Sequence, residues 1–170
     1  QDVDTDKKGS IEILFDTMRD EPVANAEFTL YQVAAMVDRG GYTVLELTGG
    51  FEGCSVQLKN LTAQQSKDAS AALLEYQRAN HISGDTKRTD ANGKISWTGL
   101  QTGLYLLVPG QMQKYRTDPS LVSIPTNLNA QLLYDMSVNP KAERIPDPVY
   151  PPEESEEPTT PEVKKTPKKT

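Results

Sequence analysis

The chain has 170 residues, a hydrophobic fraction of 36% and a formal net charge of −6. This length allows one ordinary domain and an additional segment. The acidic balance disfavours non-specific binding to nucleic acid, which requires a basic surface, so we expect no nucleic-acid partner. No run of roughly 18 apolar residues occurs, so no stretch has the length of a membrane-spanning helix.

Residue types that carry out catalysis are scarce. The single cysteine, Cys54, excludes an intrachain disulfide, and we expect it to be a small core residue. The single histidine, His81, is expected to be an exposed residue at a helix end. Because no phosphate-binding loop, metal-ligand spacing or cluster of catalytic side chains is found, we predict that the chain is not an enzyme and holds no metal or cofactor.

The first part of the chain contains four candidate strands. After an N-terminal extension, residues 1–8, the segment KKGSIEILF places Ile11, Ile13 and Phe15 on one face of a first strand. The apolar residues of EFTLYQV predict a second strand, which follows turn residues. GGYTVLELTGG predicts a third strand between two glycine pairs, and FEGCSVQL predicts a fourth.

A helix is predicted after these strands, in LTAQQSKDASAALLEYQRANHI. Thr62 has the properties of an N-cap, and Gln65 at the third following position completes a capping box. Ala69, Leu73 and Tyr76 fall on one helical face. We expect this helix to pack as a lid on one side of a β domain, within an insertion at about residues 36–85.

Short strand signals return after the helix. DTKRTDANGKISWTGL contains a turn in which Gly93 suits a positive φ. QTGLYLLV, SLVSIP and AQLLYDMSV predict further strands, and Trp97 and Tyr105 are expected in the core rather than on a sugar-stacking platform. Many short strands at regular spacing predict an all-β fold, an antiparallel β-sandwich.

Residues 142–170 have a different composition. They contain seven of the twelve prolines and no glycine, with acidic residues at 153–157 followed by lysines at 164–169. Such a segment cannot bury enough apolar surface to fold. It predicts a disordered, extended proline-rich stalk or linker.

The order of the segments in residues 9–141 resembles a known family. GSIEILF and EPVANAEFTLYQV are similar to the opening of the prealbumin-like B-type domain first described in a collagen adhesin, and TDANGKISWTGLQTGLYLLV is similar to that domain's next signature. LVSIP and YDMSVNPK are similar to the end of the N-terminal domain of sortase-assembled Gram-positive pilins. The resemblance implies an immunoglobulin-like or prealbumin-like β-sandwich of two sheets.

The resemblance also concerns an internal isopeptide bond. In the family, a first-strand Lys is joined to a last-strand Asn or Asp, and a buried acid assists. Phe15 and Pro109 occupy the positions that the resemblance assigns to the Lys and the acid, and Asn139 is the nearest match to the acceptor. We therefore predict no internal isopeptide bond of the usual type. Lys7 or Lys8, in a shifted register, is the alternative.

The second chemistry that the resemblance implies is linkage between subunits. In sortase-built pilins, a Lys in a V-x-P-K context attacks the thioester on the sortase cysteine. VNPK matches this context and makes Lys141 the candidate acceptor nucleophile, although Asn139 replaces the aromatic residue of shaft pilins. Pro140 cannot donate a sheet hydrogen bond and is expected to end a strand. The alternative for Lys141 is a solvated charge at a domain boundary.

The resemblance implies a structural, non-catalytic cell-surface subunit, favoured as a minor or basal pilin on the Gram-positive cell wall. Its expected partners are a sortase, other pilin subunits and cell-wall peptidoglycan. The last would be reached through a sorting signal beyond Thr170, because the chain contains no Leu-Pro-x-Thr-Gly motif. The alternative function is a stalked surface adhesin whose loops or 36–85 insertion bind a ligand on a host or neighbouring cell.

Overall fold

The computed structural model describes residues 2–148, which form thirteen strands and one helix. The all-β fold class with a single helix is confirmed. The strands are β1 (Gly9–Leu14), β2 (Asp16–Thr17), β3 (Glu27–Asp38), β4 (Thr43–Leu47), β5 (Asp85–Arg88), β6 (Lys94–Leu100), β7 (Gly103–Pro109), β8 (Tyr115–Arg116), β9 (Ser120–Ile124), β10 (Thr126–Leu128), β11 (Gln131–Leu133), β12 (Asp135–Val138) and β13 (Lys141–Arg144), and the helix is α1 (Ala63–Asn80).

Two main sheets form a β-sandwich, as the sequence predicted. One sheet has the strand order β12-β1-β6, and the other has the order β4-β3-β7-β9 with β5 also paired to β3. Two smaller sheets have the orders β10-β11 and β2-β13-β8. Neighbouring strands are antiparallel except at β1–β12 and β2–β13, where the beginning and the end of the domain run side by side in parallel.

Apolar side chains from both main sheets fill the space between them. Ile11 and Ile13 of β1 and Phe15 just after it are fully buried, so the face predicted for the first strand is confirmed. The ring of Phe15 packs edge-on against that of Phe28, with 5.1 Å between the ring centroids. The core placement predicted for two other aromatic residues is also confirmed, because Trp97 and Tyr105 are buried here.

The turn before β6 brings the backbone close to the end of β1. Gly93 has a φ of +77°, as the sequence predicted, and its carbonyl accepts a 2.8 Å hydrogen bond from the N–H of Phe15. A side chain at position 93 would also strike the carbonyl oxygen of Phe15. Glycine is therefore required both for the conformation and for the close approach that holds Phe15 in place.

The outer face of the five-stranded sheet is covered by α1 and by residues 51–58. Leu104 and Leu106 of β7 contact Phe51 and Leu73 in this second apolar cluster, while the alternate residues of β7 face the other main sheet. Because both faces of β7 are covered, its sequence is almost continuously apolar instead of alternating.

Both ends of α1 follow the sequence prediction. Thr62 is the N-cap, and its hydroxyl oxygen accepts a hydrogen bond from the backbone N–H of Gln65, whose side chain accepts one from the N–H of Thr62. The capping box is thus complete. His81 is the exposed C-cap, in the left-handed conformation with φ 54°, and its N–H donates to the carbonyl of Gln77.

Two strand predictions are wrong. Residues 51–58 form a turn and an irregular segment, because alternate residues of this segment pack onto the helix-side cluster and mimic the alternation of a strand. The run AQLLYDMSV forms two strands rather than one, because β11 turns back onto β10 whereas β12 joins β1 in a main sheet. The buried Tyr134 lies between the two.

The body of the protein extends beyond the predicted boundary at residue 141. Lys141 is the first residue of β13, Ala142 is buried, and the N–H of Ile145 donates to the carbonyl of Lys114. Three residues that the composition assigned to the stalk, 142–144, thus pair with the domain. The rest of the predicted stalk, from residue 149, lies outside the described residues. No helix within residues 2–148 is long and apolar enough to cross a membrane.

Candidate functional site

The beginning and the end of the domain keep one register along their whole contact. Ile13 pairs with Val138, and three residues further along both strands Asp16 pairs with Lys141. The pairing is interrupted between these points, where the later strand contains Pro140 and so lacks an N–H donor. As predicted, β12 ends before this proline, and Lys141 is the first residue of the strand that follows.

The side chain of Asn139 replaces the missing backbone contact. Its Nδ2 donates to the carbonyl oxygen of Leu14 at 2.6 Å and to Oδ1 of Asp16 at 2.9 Å. The Nζ of Lys141 donates to the same Oδ1 of Asp16 at 2.8 Å. One carboxylate at the end of the first strand therefore binds two side chains from the end of the last strand.

A tight turn at residues 16–22 supplies a second carboxylate. The turn is closed by a 2.9 Å hydrogen bond from the N–H of Thr17 to the carbonyl of Glu21, and Asp20 adopts φ 60°. Oδ1 of Asp20 lies 3.2 Å from Nζ of Lys141, and the carbonyl oxygen of Thr17 lies 3.4 Å from it. We refer to Asp16, Asp20, Asn139 and Lys141 as the lysine cluster.

The two carboxylates of the lysine cluster differ in exposure. The side chain of Asp16 is 6% exposed, that of Asp20 is 85% exposed, and that of Lys141 is 36% exposed. Asp16 therefore lies at the inner end of the cluster and Asp20 at the solvent end. Lys141 is neither buried in the interior nor freely solvated, and its amine lies beside the turn.

The hydrogen bonds of the cluster keep both partners charged. The bond from Lys141, and then that from Asn139, lower the pKa of Asp16 below its ordinary value of 3.8, although burial opposes the shift. The bond to Asp16 raises the pKa of Lys141 above its ordinary 10.5, against some desolvation, and Asp20 contributes in the same direction. At neutral pH the pair is a carboxylate and an ammonium ion.

This charge state determines what Lys141 can do chemically. An ammonium ion has no lone pair and cannot attack an acyl carbon until it loses a proton. Asp16 is a poor acceptor for that proton, because its lowered pKa favours the ionised form. The cluster therefore favours the unreactive ammonium form of Lys141, and attack by this amine would require a base other than Asp16.

The positions expected to hold an internal isopeptide bond are apolar. Phe15 is fully buried against Phe28, and Pro109 of β7 is the strand partner of Phe28. Lys7 lies with its Nζ 4.6 Å from the ring centroid of Tyr134, at the opposite end of β1 from Asn139. Asn139 is engaged with Leu14 and Asp16 instead. The absence of an internal bond stays a prediction that a mass measurement can test.

Other groups in residues 2–148 offer little for catalysis. No group of three or more His, Cys, Asp or Glu side chains in this range could hold a metal ion. Burial raises the pKa of the half-buried Cys54, which disfavours a reactive thiolate. A cleft of about 630 Å³ lies between residues 23–27 and 111–115, and two of its charged residues, Glu27 and Arg88, neutralise each other at 3.0 Å.

The sequence pointed to Lys141 and Asn139 but not to Asp16 and Asp20. An Asp that follows a strand is typical of a turn, so neither aspartate gives a local signal for a contact with the far end of the chain. The only available signal is strand alternation, which places Asp16 on the opposite face from the apolar Phe15.

Comparison with known proteins identifies the fold. No protein-family model and no curated protein sequence matches the chain. The full-length major pilin SpaD from Corynebacterium diphtheriae superposes with a TM-score of 0.52 at 20% identity, over 83% of this chain and 31% of SpaD. A backbone pilin of Streptococcus pyogenes, which has a modular three-domain structure, gives a TM-score of 0.52 at 15% identity, over 81% of this chain and 29% of that pilin.

These similarities confirm the pilin-type β-sandwich fold that the sequence resemblance implied. The chain spans about a third of the length of the pilins that it matches, at 31% and 29% of their residues. It therefore has the fold of one portion of a pilin.

Proposed function

We propose that the chain is a structural, non-catalytic pilin-like subunit of the Gram-positive cell surface, and that a sortase joins it to another subunit through Lys141. The observation that carries the proposal is the position of this lysine in a pilin-type fold. Its amine lies at the surface beside the last strand, shortly before the proline-rich segment begins. Lys141 is thus placed where a partner can approach without unfolding the domain.

The proposed reaction is acyl transfer from a sortase to Lys141. The sortase cysteine holds the C-terminal Thr of a donor subunit as a thioester. After Nζ of Lys141 loses a proton, its lone pair attacks the thioester carbonyl, a C–N bond forms and the C–S bond breaks. The first proton goes to a base of the sortase, and the cysteine leaves as a thiolate that takes up the second proton released by the attacking nitrogen. The two subunits are then joined by an isopeptide bond.

A minor or basal position in a pilus is the version of this function that we favour. One domain followed by a proline-rich segment suits a subunit near the cell wall, because such a segment extends at about 3.1 Å per residue and separates the domain from the wall. In this proposal the partners are sortase, other pilin subunits and peptidoglycan, which a sorting signal beyond Thr170 would attach. The protein would then be extracellular and anchored to the cell wall.

The first prediction is that Lys141→Ala removes the protein from covalent polymers. Wild-type protein in the parent bacterium is expected in high-mass ladders that resist SDS, and the variant is expected only as a monomer band on immunoblots. Lys67→Ala is the matched control, because Lys67 is exposed on α1, far from the lysine cluster in sequence, and should keep the ladders. Unchanged ladders in Lys141→Ala would contradict the proposed linkage.

A second candidate function, adhesion, is favoured by a cleft in the predicted insertion. The cleft has a volume of about 450 Å³ and lies between β4 and residues 58–60, with Met36, Val44 and Leu45 in its lining. Tyr42 at its rim is 66% exposed. If the protein is an adhesin, the isolated domain should bind to whole host or neighbouring cells. This binding should survive Lys141→Ala but should be lost in Val44→Glu, which places a charge in the cleft.

A further inference from the structure

All hydrogen bonds of the Lys141 amine in the described chain go to the segment 16–20. They are made to Asp16 at 2.8 Å, to Asp20 at 3.2 Å and to the carbonyl oxygen of Thr17 at 3.4 Å. No acceptor on another element shares the amine in residues 2–148. The environment of the proposed nucleophile is thus set by a short stretch at the end of the first strand.

Asp16 is held much more firmly than Asp20. Its backbone is paired on one side with Lys141 and bridged on the other to Pro22. Its carboxylate is almost completely buried and also accepts the hydrogen bond from Asn139. Asp20, at the exposed tip of the turn, has no comparable restraint on its side chain. One carboxylate is fixed, and the other can move into solvent.

We infer that Asp16 is a positioning residue for acyl transfer to Lys141: it holds the amine against the body, makes it less reactive toward free electrophiles, and presents it at one place to the transferring enzyme. This inference rests on the proposed function. The enzyme would displace the exposed Asp20 and reach Nζ from the solvent side, while Asp16 keeps the other side of the amine in place. Asn139 in turn orients the carboxylate of Asp16.

Removing the charge of Asp16 should therefore have opposite effects on two reactions. Toward a small acylating reagent, Lys141 should become more reactive, because a carboxylate neighbour stabilises the ammonium form. Toward the enzyme, Lys141 should become a poorer acceptor, because a mobile amine spends less time in the reactive orientation. A purely structural role would not change the two rates in opposite directions.

The first arm of the test uses acetyl N-hydroxysuccinimide ester on the full 170-residue protein and on Asp16→Asn. Acetylation at Lys141 is measured by peptide mass spectrometry relative to Lys67 across a pH series. We expect acetylation of Lys141 to rise roughly threefold in the variant and its pH profile to move to lower pH. Asp16 and Asp20 are the charged groups that face Nζ. In Asp16→Asn, the part of the raised pKa of Lys141 that remains therefore comes from Asp20.

The second arm uses the sortase of the parent bacterium and a peptide that contains Leu-Pro-x-Thr-Gly. In Asp16→Asn, kcat/KM for joining the peptide to Lys141 should fall roughly tenfold. Glu75→Gln, an equal loss of charge at an exposed position of α1 away from Lys67, should change neither rate. Asn139→Ala removes one hydrogen bond to Asp16 without changing any charge, and it provides a second test if Asp16→Asn does not fold. Asn139→Ala should also lower kcat/KM for joining the peptide to Lys141.

The outcomes separate this inference from the proposed function. If wild-type protein is joined at Lys141 and Asp16→Asn is joined equally fast, the positioning role is overturned while the proposed function stands. If wild-type protein is not joined at all, the proposed function fails. The acetylation profile then decides whether Asp16 holds the amine, and an identical profile in both proteins refutes it.

Discussion

Phe15 and Asp16 are neighbours in the sequence but lie in contrasting environments at the end of the first strand. The ring of Phe15 is fully buried between the sheets against Phe28. The carboxylate of Asp16 is buried too, yet it is bound to Lys141 and Asn139 at the edge of the sandwich. Strand alternation sends the first side chain into the apolar core and the second toward a partly solvated rim.

This contrast shows how the present domain connects its first and last strands. An apolar site such as that of Phe15 stabilises by burial and offers no reactive group. The site of Asp16 instead makes a charged, hydrogen-bonded contact with Lys141 and leaves the lysine side chain 36% exposed. In the proposed function, a first strand that ends in an apolar residue in the core is combined with a lysine amine at the surface that can accept an acyl group.

Among the substitutions that test this contrast, Phe15→Ala should have the largest effect on the free energy of unfolding. The substitution leaves a cavity beside Phe28 and removes a fully buried ring. We expect a loss of about 3–5 kcal/mol in the free energy of unfolding, measured by urea denaturation. Phe15→Leu is the matched control and should lose less, because it refills part of the space. A loss below about 1 kcal/mol in Phe15→Ala would show that the core relaxes around the site.

Replacing Asp16 by Asn should have a smaller effect, about 1 kcal/mol at neutral pH, because Asn can still accept hydrogen bonds but has no charge. The pKa of Asp16 is lower in the folded state than its ordinary 3.8, so ionisation stabilises the fold above that pH. This contribution is lost as the pH falls through the lower folded value. The difference between wild type and variant should therefore disappear in strong acid.

The stabilising contribution of the Asp16–Lys141 contact should also be lost at alkaline pH. The pKa of Lys141 is higher in the folded state than its ordinary 10.5, so its contribution is complete below that pH and is lost as the pH rises through the folded value. Urea denaturation of both proteins over a pH series measures both limits. A difference that stays constant from acid to neutral pH would contradict the ionic origin of the contact.

The last prediction is that folding causes no change in the intact mass of the protein. Because Phe15 and Pro109 occupy the positions that the resemblance assigns to the reactive residues, we predict a mass equal to that calculated from the sequence. Loss of one ammonia would indicate a bond to Asn139 or another amide, and loss of one water would indicate a bond to a carboxylate such as Asp16. Either result would contradict the prediction.

Local patterns in the sequence predicted much of this fold but only half of the lysine cluster. The faces of the first strand and the caps of α1 depend on neighbouring residues, so periodicity and capping residues identify them. The alternation in residues 51–58 wrongly predicted a strand, because packing onto a helix gives the same alternation as a strand. The contact of Asp16 with Lys141 joins residues 125 positions apart, and no local pattern encodes which strands become neighbours.

The parallel pairing of β1 with β12 also has a mechanical consequence. The chain enters the domain at one end of this pair and leaves it beyond the opposite end, through β13. A pull on the two termini therefore slides the strands past each other, and their backbone hydrogen bonds must break together rather than one after another. The domain is suited to bear tension along these strands, and the register between Ile13 and Val138 lies on the direct path of the load.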